Sequence, residues 1–117
     1  MSEKHFFKKK GPFPLSEIVK IIGCNSKFSN EENFEIHSFE SLDKANSNDM
    51  TFLNSSKYQN LSSKTKAAAC ITSSNLSKYL PENCIILDVK NVLFAVTQVA
   101  KMFYPNADMD FPDENLS

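Results

Sequence analysis

Ala67-Ala68-Ala69-Cys70-Ile71-Thr72 is the stretch that decides the fold. It is small, uncharged and apolar at successive positions, so it suits a strand covered on both faces, as in a parallel sheet. Cys84-Ile85-Ile86-Leu87-Asp88-Val89 reads the same way, and both strands are expected at the sheet centre. Between them, Ser74 to Leu80 can form a short helix that Pro81 stops. Strand, crossover and strand in this order build a parallel pair.

The pattern continues upstream. Met50 to Leu53 reads as a short strand, and Ser55 to Ser62 as a helix with Tyr58 and Leu61 on one side. Phe34, Ile36 and Ser38 alternate with Glu35, His37 and Phe39, so 34–39 reads as one strand. Ser41 to Asp49 is a polar loop with room for one helical turn at Leu42 to Ala45. Pro14 to Gly23 is a punctuated helix. Pro14 suits the first turn, Glu17 complements the positive end, and Gly23 is a ready stop. Leu15, Ile18, Val19 and Ile22 supply its apolar face.

Downstream, Asn91 caps a last helix that Pro105 ends, with Leu93, Val96, Ala100 and Phe103 as its stripe. The order is roughly α-β-β-α-β-α-β-α. The expected architecture is a single α/β domain, a small mixed or mostly parallel sheet flanked by helices. Residues 1–105 would form that domain. Residues 106–117, acidic and polar around Asp110-Phe111-Pro112-Asp113-Glu114, read as a linker. Met1 to Lys10 reads as a solvated, basic end. No internal repeat is read.

With 117 residues, 41% hydrophobic content and a net charge of -1, the chain reads as a soluble globular unit with no field for gripping a nucleic acid. Every basic residue is Lys, so the bidentate Arg fork used for base edges is missing. A nucleic-acid partner is not expected, and neither is a transmembrane segment, because no apolar run is long enough. Cys24, Cys70 and Cys84 match no zinc spacing, so no metal is expected. Cys70 and Cys84 read as small buried hydrophobes in a reducing, cytoplasmic setting.

Catalytic constellations are sparse. With Gly11 and Gly23 alone there is no glycine-rich phosphate loop, and no hydrolase or metalloprotease motif occurs. No catalytic residue and no cofactor is assigned. His37 lacks an orienting neighbour in sequence and reads as a surface strand histidine. Glu40, Asp43 and Asp49 read as a solvated loop rather than a metal cluster.

One segment carries a binding logic. Phe52 ends a strand and Tyr58 follows early in the next helix. A strand-to-helix turn can set two such rings across a gap that accepts a flat base, and stacked bases are worth roughly 1–3 kcal/mol each. Asn54 and Ser55 in the turn are candidates for the base edge. The alternative is that both rings are ordinary core aromatics.

Asp49-Met50-Thr51-Phe52-Leu53-Asn54-Ser55-Ser56-Lys57-Tyr58, then Leu61 and Thr65-Lys66-Ala67, resembles the N-terminal domain of UDP-3-O-(3-hydroxyacyl)glucosamine N-acyltransferase of lipid A synthesis. Further landmarks fall in the same order: Phe6-Phe7 with Gly11-Pro12, Leu42 with Ala45, Asn91 to Thr97, and Phe103-Tyr104-Pro105. The resemblance implies that Phe52 and Tyr58 stack a uracil. It also implies an Asn between them, and here that position is Ser55, with Asn54 one step earlier. At the Asn91 motif, Val92, Leu93 and Val96 replace Pro, Tyr and Phe, as suits a packing helix.

The resemblance further implies a substrate, UDP-3-O-acyl-glucosamine, and a Gram-negative source. The family continues into a left-handed β-helix with the catalytic His, the acyl carrier protein surface and the homotrimer contacts. The chain by itself is therefore expected to lack acyl transfer and need not be trimeric. Two other readings stand beside this one: a nucleotide-sugar-binding module of a peptidoglycan ligase, and a structural or interaction domain with no ligand.

Overall fold

Strand β5 (Ala69–Thr72) is buried at all four residues and forms the interior of the sheet. The computed structural model describes residues 10–24 and 34–105. Around β5 lie β3 (Ser38–Phe39), β4 (Asp49–Phe52) and β6 (Ile85–Asp88), in the order β3-β4-β5-β6 with every neighbouring pair parallel. The register sets Phe52 beside Ile71 and Cys70 beside Ile86. The α/β class is as expected, with one correction. The Cys84–Val89 run supplies an edge strand, not a central one. Apolarity reports cover on a strand's faces, and says nothing about whether a partner lies on each side.

A second correction concerns 34–39. It is two strands, not one. β1 (Phe13–Pro14) pairs antiparallel with β2 (Glu35–Ile36), and the chain then passes through His37 into the parallel sheet at β3. The His37 amide donates to the Asn48 carbonyl at 2.8 Å, and the residue itself is exposed. The alternation is continuous, but the two halves answer to different partners.

Strand alternation divides the core. Met50, Ala69, Ile71 and Leu87 face one side, with Phe52 and Ile85 half-buried beside them. Helices α1 (Leu15–Ile22) and α3 (Val92–Phe103) cover that side. Leu53, Cys70 and Cys84 face the other side with Leu42, where Tyr58, Leu76, Tyr79 and Leu80 pack. Short elements cover this second cluster: a 3₁₀ turn at Ser56–Tyr58, helix α2 (Gln59–Lys64) and a 3₁₀ turn at Ser77–Tyr79.

Local signals set the two long helices. In α1, Leu15 and Ile18 are fully buried. Gly23 ends the helix at φ 64°, a left-handed conformation that favours glycine, and its N–H donates to Val19 O. The Asn91 side chain accepts from the Phe94 amide at 3.0 Å and starts α3. The buried stripe of α3 is Val92, Ala95, Val96, Val99, Ala100 and Phe103; Leu93 lies at its half-buried margin and Phe94 is 62% exposed. Phe103 anchors the far end, meeting Phe13 edge-on at 5.0 Å. Gly11 has φ 105° there, and a Cβ would lie 3.1 Å from the Phe103 ring, so the position suits glycine. Among the described residues no helix is long and apolar enough to cross a membrane.

The Thr51 hydroxyl is fully buried without a hydrogen-bond partner among the described residues. Thr51→Val keeps the shape, suits a strand and removes an unpaired group worth about 1–3 kcal/mol of desolvation. Its melting temperature is expected to rise by a few degrees; a fall in Tm would reveal a partner that the hydroxyl does have.

Burial pushes the Cys84 thiol up to about 12 from 9.0 and raises Cys70, with Cys84 beside it a smaller cause. Both thiols are raised in the folded chain, so above pH 9 the unfolded chain loses protons that the folded chain keeps. Stability is therefore expected to fall as pH rises from about 9 toward 12. Thiol labelling at pH 8 checks the burial: half-buried Cys24 reacts first, and Cys70 and Cys84 react only on denaturation.

Candidate functional site

The four parallel strands end on one edge of the sheet, and β4 delivers Phe52 there as its last residue. In open α/β sheets ligands bind outside this carboxyl edge. Phe52 is half-buried, belongs to the core beneath α1 and α3, and lies 5.9 Å from the half-buried Phe39 ring. Tyr58 is also half-buried, but it packs on the second cluster, on the opposite face of the sheet. The turn at residues 53–57 joins them. Phe52 and Tyr58 therefore do not touch. Each is rooted in a different core with part of its surface open.

Leu53 fixes the turn from inside. It is almost completely buried, its amide donates to Ile71 O at 2.9 Å, and its carbonyl accepts from the buried Thr72 hydroxyl at 2.9 Å. These bonds continue the β4–β5 ladder past the last strand residue. Asn54 is exposed, and its side chain has no hydrogen-bond partner among the described residues. Ser55 is extended, at φ -157° and ψ 141°, and caps the first 3₁₀ turn; its Oγ accepts from the Lys57 amide at 3.3 Å. That bond uses an acceptor lone pair and leaves the hydroxyl proton available to donate. The two polar candidates thus differ: Ser55 shapes the turn, and Asn54 is uncommitted.

Lys57 places its ammonium 5.4 Å from the centre of the Tyr58 ring. An ammonium at this range is drawn to the ring face by its quadrupole. The same arrangement occurs a second time. Ser77-Lys78-Tyr79 repeats Ser56-Lys57-Tyr58, forms a 3₁₀ turn of its own after the neighbouring strand, without the side-chain cap that Ser55 gives the first, and holds Lys78 over Tyr79 at 5.4 Å. Tyr79 packs on the same cluster as Tyr58. In the sequence a shared tripeptide is too short to stand out as a repeat. The two units differ at the strand: Phe52 in the first lies beside Ile71 in the second, and Ile71 is fully buried.

Helix α2 links the two turns. Ser62 is fully buried, with Oγ 2.8 Å from Gln59 O and 3.3 Å from Tyr79 O. Leu61, expected on one side of the helix with Tyr58, is 42% exposed, whereas Tyr58 is half-buried. The 3₁₀ start turns the following helix out of the simple α-helical phase, so a polar residue faces inward and satisfies a carbonyl.

The remaining polar candidates do local work. Asp49 accepts from the Asn46 amide at 2.9 Å and closes the turn before β4. Asp43 accepts from the Ser41 hydroxyl at 2.9 Å. Glu40 lies near Tyr104, whose phenol is raised by burial first and by this carboxylate second. Among the described residues no group of His, Cys, Asp and Glu could hold a metal ion. His5 and the basic run Lys8-Lys9 lie outside the described residues, as does the 106–117 segment.

Comparison with known proteins gives one consistent answer. The model of the family described as LpxD, UDP-3-O-(3-hydroxymyristoyl) glucosamine N-acyltransferase, matches residues 33–102. UDP-3-O-acylglucosamine N-acyltransferase 2 of Legionella pneumophila (strain Paris) is 34% identical over 106 residues, covering 91% of this chain and 31% of that protein. UDP-3-O-acylglucosamine N-acyltransferases of Rickettsia rickettsii and Rickettsia prowazekii (strain Madrid E) are 32% and 30% identical, each covering 89% of this chain and 30% of the relative. The chain thus spans about a third of the length of the curated relatives it matches. The matched region contains the whole parallel sheet, the Phe52–Tyr58 turn and nearly all of α3, and on that ground the chain belongs to the LpxD family of N-acyltransferases.

Proposed function

We propose that residues 1–105 form the unit that recognises the uridine part of a UDP-sugar for an enzyme that N-acylates UDP-3-O-acyl-glucosamine. The observation that carries this reading is the placement of two half-buried rings around one turn at the carboxyl edge of a parallel sheet. A uracil received there would stack on Phe52 and Tyr58, and Asn54 or Ser55 would meet its edge. Full burial of both rings would have supported a domain without a ligand, and neither is fully buried. Family membership favours this reading over the peptidoglycan ligase module.

In the longer enzyme, an acyl group carried by acyl carrier protein would pass to the 2-amino group of the glucosamine. This unit's contribution would be positioning: the energy of holding the nucleotide, remote from the reacting amine, can be used to orient the sugar. Acyl transfer itself is assigned to none of the described residues. The chain assayed alone is expected to bind without turnover. Residues 106–117 would serve as the connection toward the catalytic part.

Titration with uridine and UDP, followed by amide resonances, tests the base site. Shifts are expected at residues 52–58, with Phe52→Ala and Tyr58→Ala each weakening binding about tenfold, in line with roughly 1–3 kcal/mol per stacked base. Silence at millimolar ligand, in a wild type that gives a dispersed spectrum, would reject the proposal. Position 55 has its own test. Asn caps a helical turn about as well as Ser. Ser55→Asn is therefore expected to keep the melting temperature within about 3 °C and to tighten uridine binding severalfold. Unchanged affinity would shift the base-edge role to Asn54.

A further inference from the structure

We infer that Lys57 neutralises the diphosphate of the bound nucleotide, and that it is released for this task when a base displaces its ammonium from the Tyr58 ring. The inference rests on the base-site reading above. It starts from an observed contact: the ammonium lies over the Tyr58 ring, 5.4 Å from its centre, and this is the ring on which a base would stack. A base and an ammonium cannot share one ring face at stacking distance. The flexible Lys stem lets the ammonium leave, and the nearest new negative charge would be the phosphates attached to the base that displaced it.

Composition sharpens the assignment. The ligand brings two phosphates, and the chain contains no arginine to clamp them. Lys57 is the single cation in the sequence between Phe52 and Tyr58, and it is exposed on the segment that connects the two rings. Its position is fixed at the backbone: its amide is held by the Ser55 hydroxyl, at the start of the 3₁₀ turn.

The second Ser-Lys-Tyr turn supplies an internal control. Lys78 stands over Tyr79 at the same 5.4 Å, on a turn of the same type. Yet the strand neighbour of Phe52 is Ile71, fully buried and without a ring, so the second unit lacks a counterpart of Phe52. Lys78 and Lys57 share their charge and their distance from the following ring, although Ser55 caps only the first turn with its side chain.

The experiment compares uridine and UDP binding to the 117-residue chain as wild type, Lys57→Met and Lys78→Met, at low and at raised salt. In the wild type UDP is expected to bind about tenfold more tightly than uridine at low salt, with the ratio shrinking as salt screens the contact. Lys57→Met is expected to remove that ratio while leaving uridine binding unchanged or tighter, because the ring face is no longer contested. Lys78→Met is expected to preserve both affinities. The inference is overturned if Lys57→Met lowers uridine and UDP equally, if it leaves the UDP preference intact, or if Lys78→Met erases that preference as well. If uridine itself fails to shift residues 52–58 in any protein, the base-site reading falls and takes this role with it. That outcome is distinct from one in which uridine binds normally and only the diphosphate preference is unaffected by Lys57.

Discussion

The pairing of β4 with β5 is the constraint on which the rest of the molecule depends. Met50, Thr51 and Phe52 lie beside Ala69, Cys70 and Ile71, and the ladder continues through Leu53. Because β5 is buried on both faces, each face must be covered. One side receives the two long helices and the larger cluster. Among the described residues the other receives short turns and a six-residue helix, tied down by hydroxyl-to-carbonyl bonds from Ser62, Thr65 and Thr72. The candidate site is a by-product of this arrangement, since β4 must leave the sheet at Phe52 and cross to the thinner side.

What could be read from the sequence was what local chemistry decides. Pro14, Glu17 and Gly23 bounded α1, and Asn91 and Pro105 bounded α3, because caps and stops act within a turn of the helix. The apolar runs located β5 and β6 to within two residues. Strand order was not legible, because neighbours in a sheet are chosen by long-range pairing; hence β6 at an edge. The break at His37 has the same origin, since β2 answers to β1 and β3 to β4.

The candidate site was proposed from its residues, and its geometry was not legible. Phe52, Asn54, Ser55 and Tyr58 were all identifiable from a short motif. That the two rings belong to different cores follows from the alternation of β4 combined with the phase of a 3₁₀ turn, and the latter has no clear sequence signature. The ammonium over Tyr58 and its copy over Tyr79 are also consequences of that turn, which brings each Lys back toward the ring that follows it.

The rooting of Phe52 and Tyr58 in separate clusters has a mechanical meaning. A molecule held by both rings would act as a clasp between two halves of the interior that lie on opposite faces of the sheet. Loosening either half would open the clasp before the chain unfolds, so nucleotide affinity would report on packing defects far from the rings. By the reciprocity of linkage, an occupied clasp would suppress the fluctuations of both halves together. The thinner half, held by single hydroxyls, has the most to gain. In such an enzyme the substrate would complete the fold of the domain that selects it.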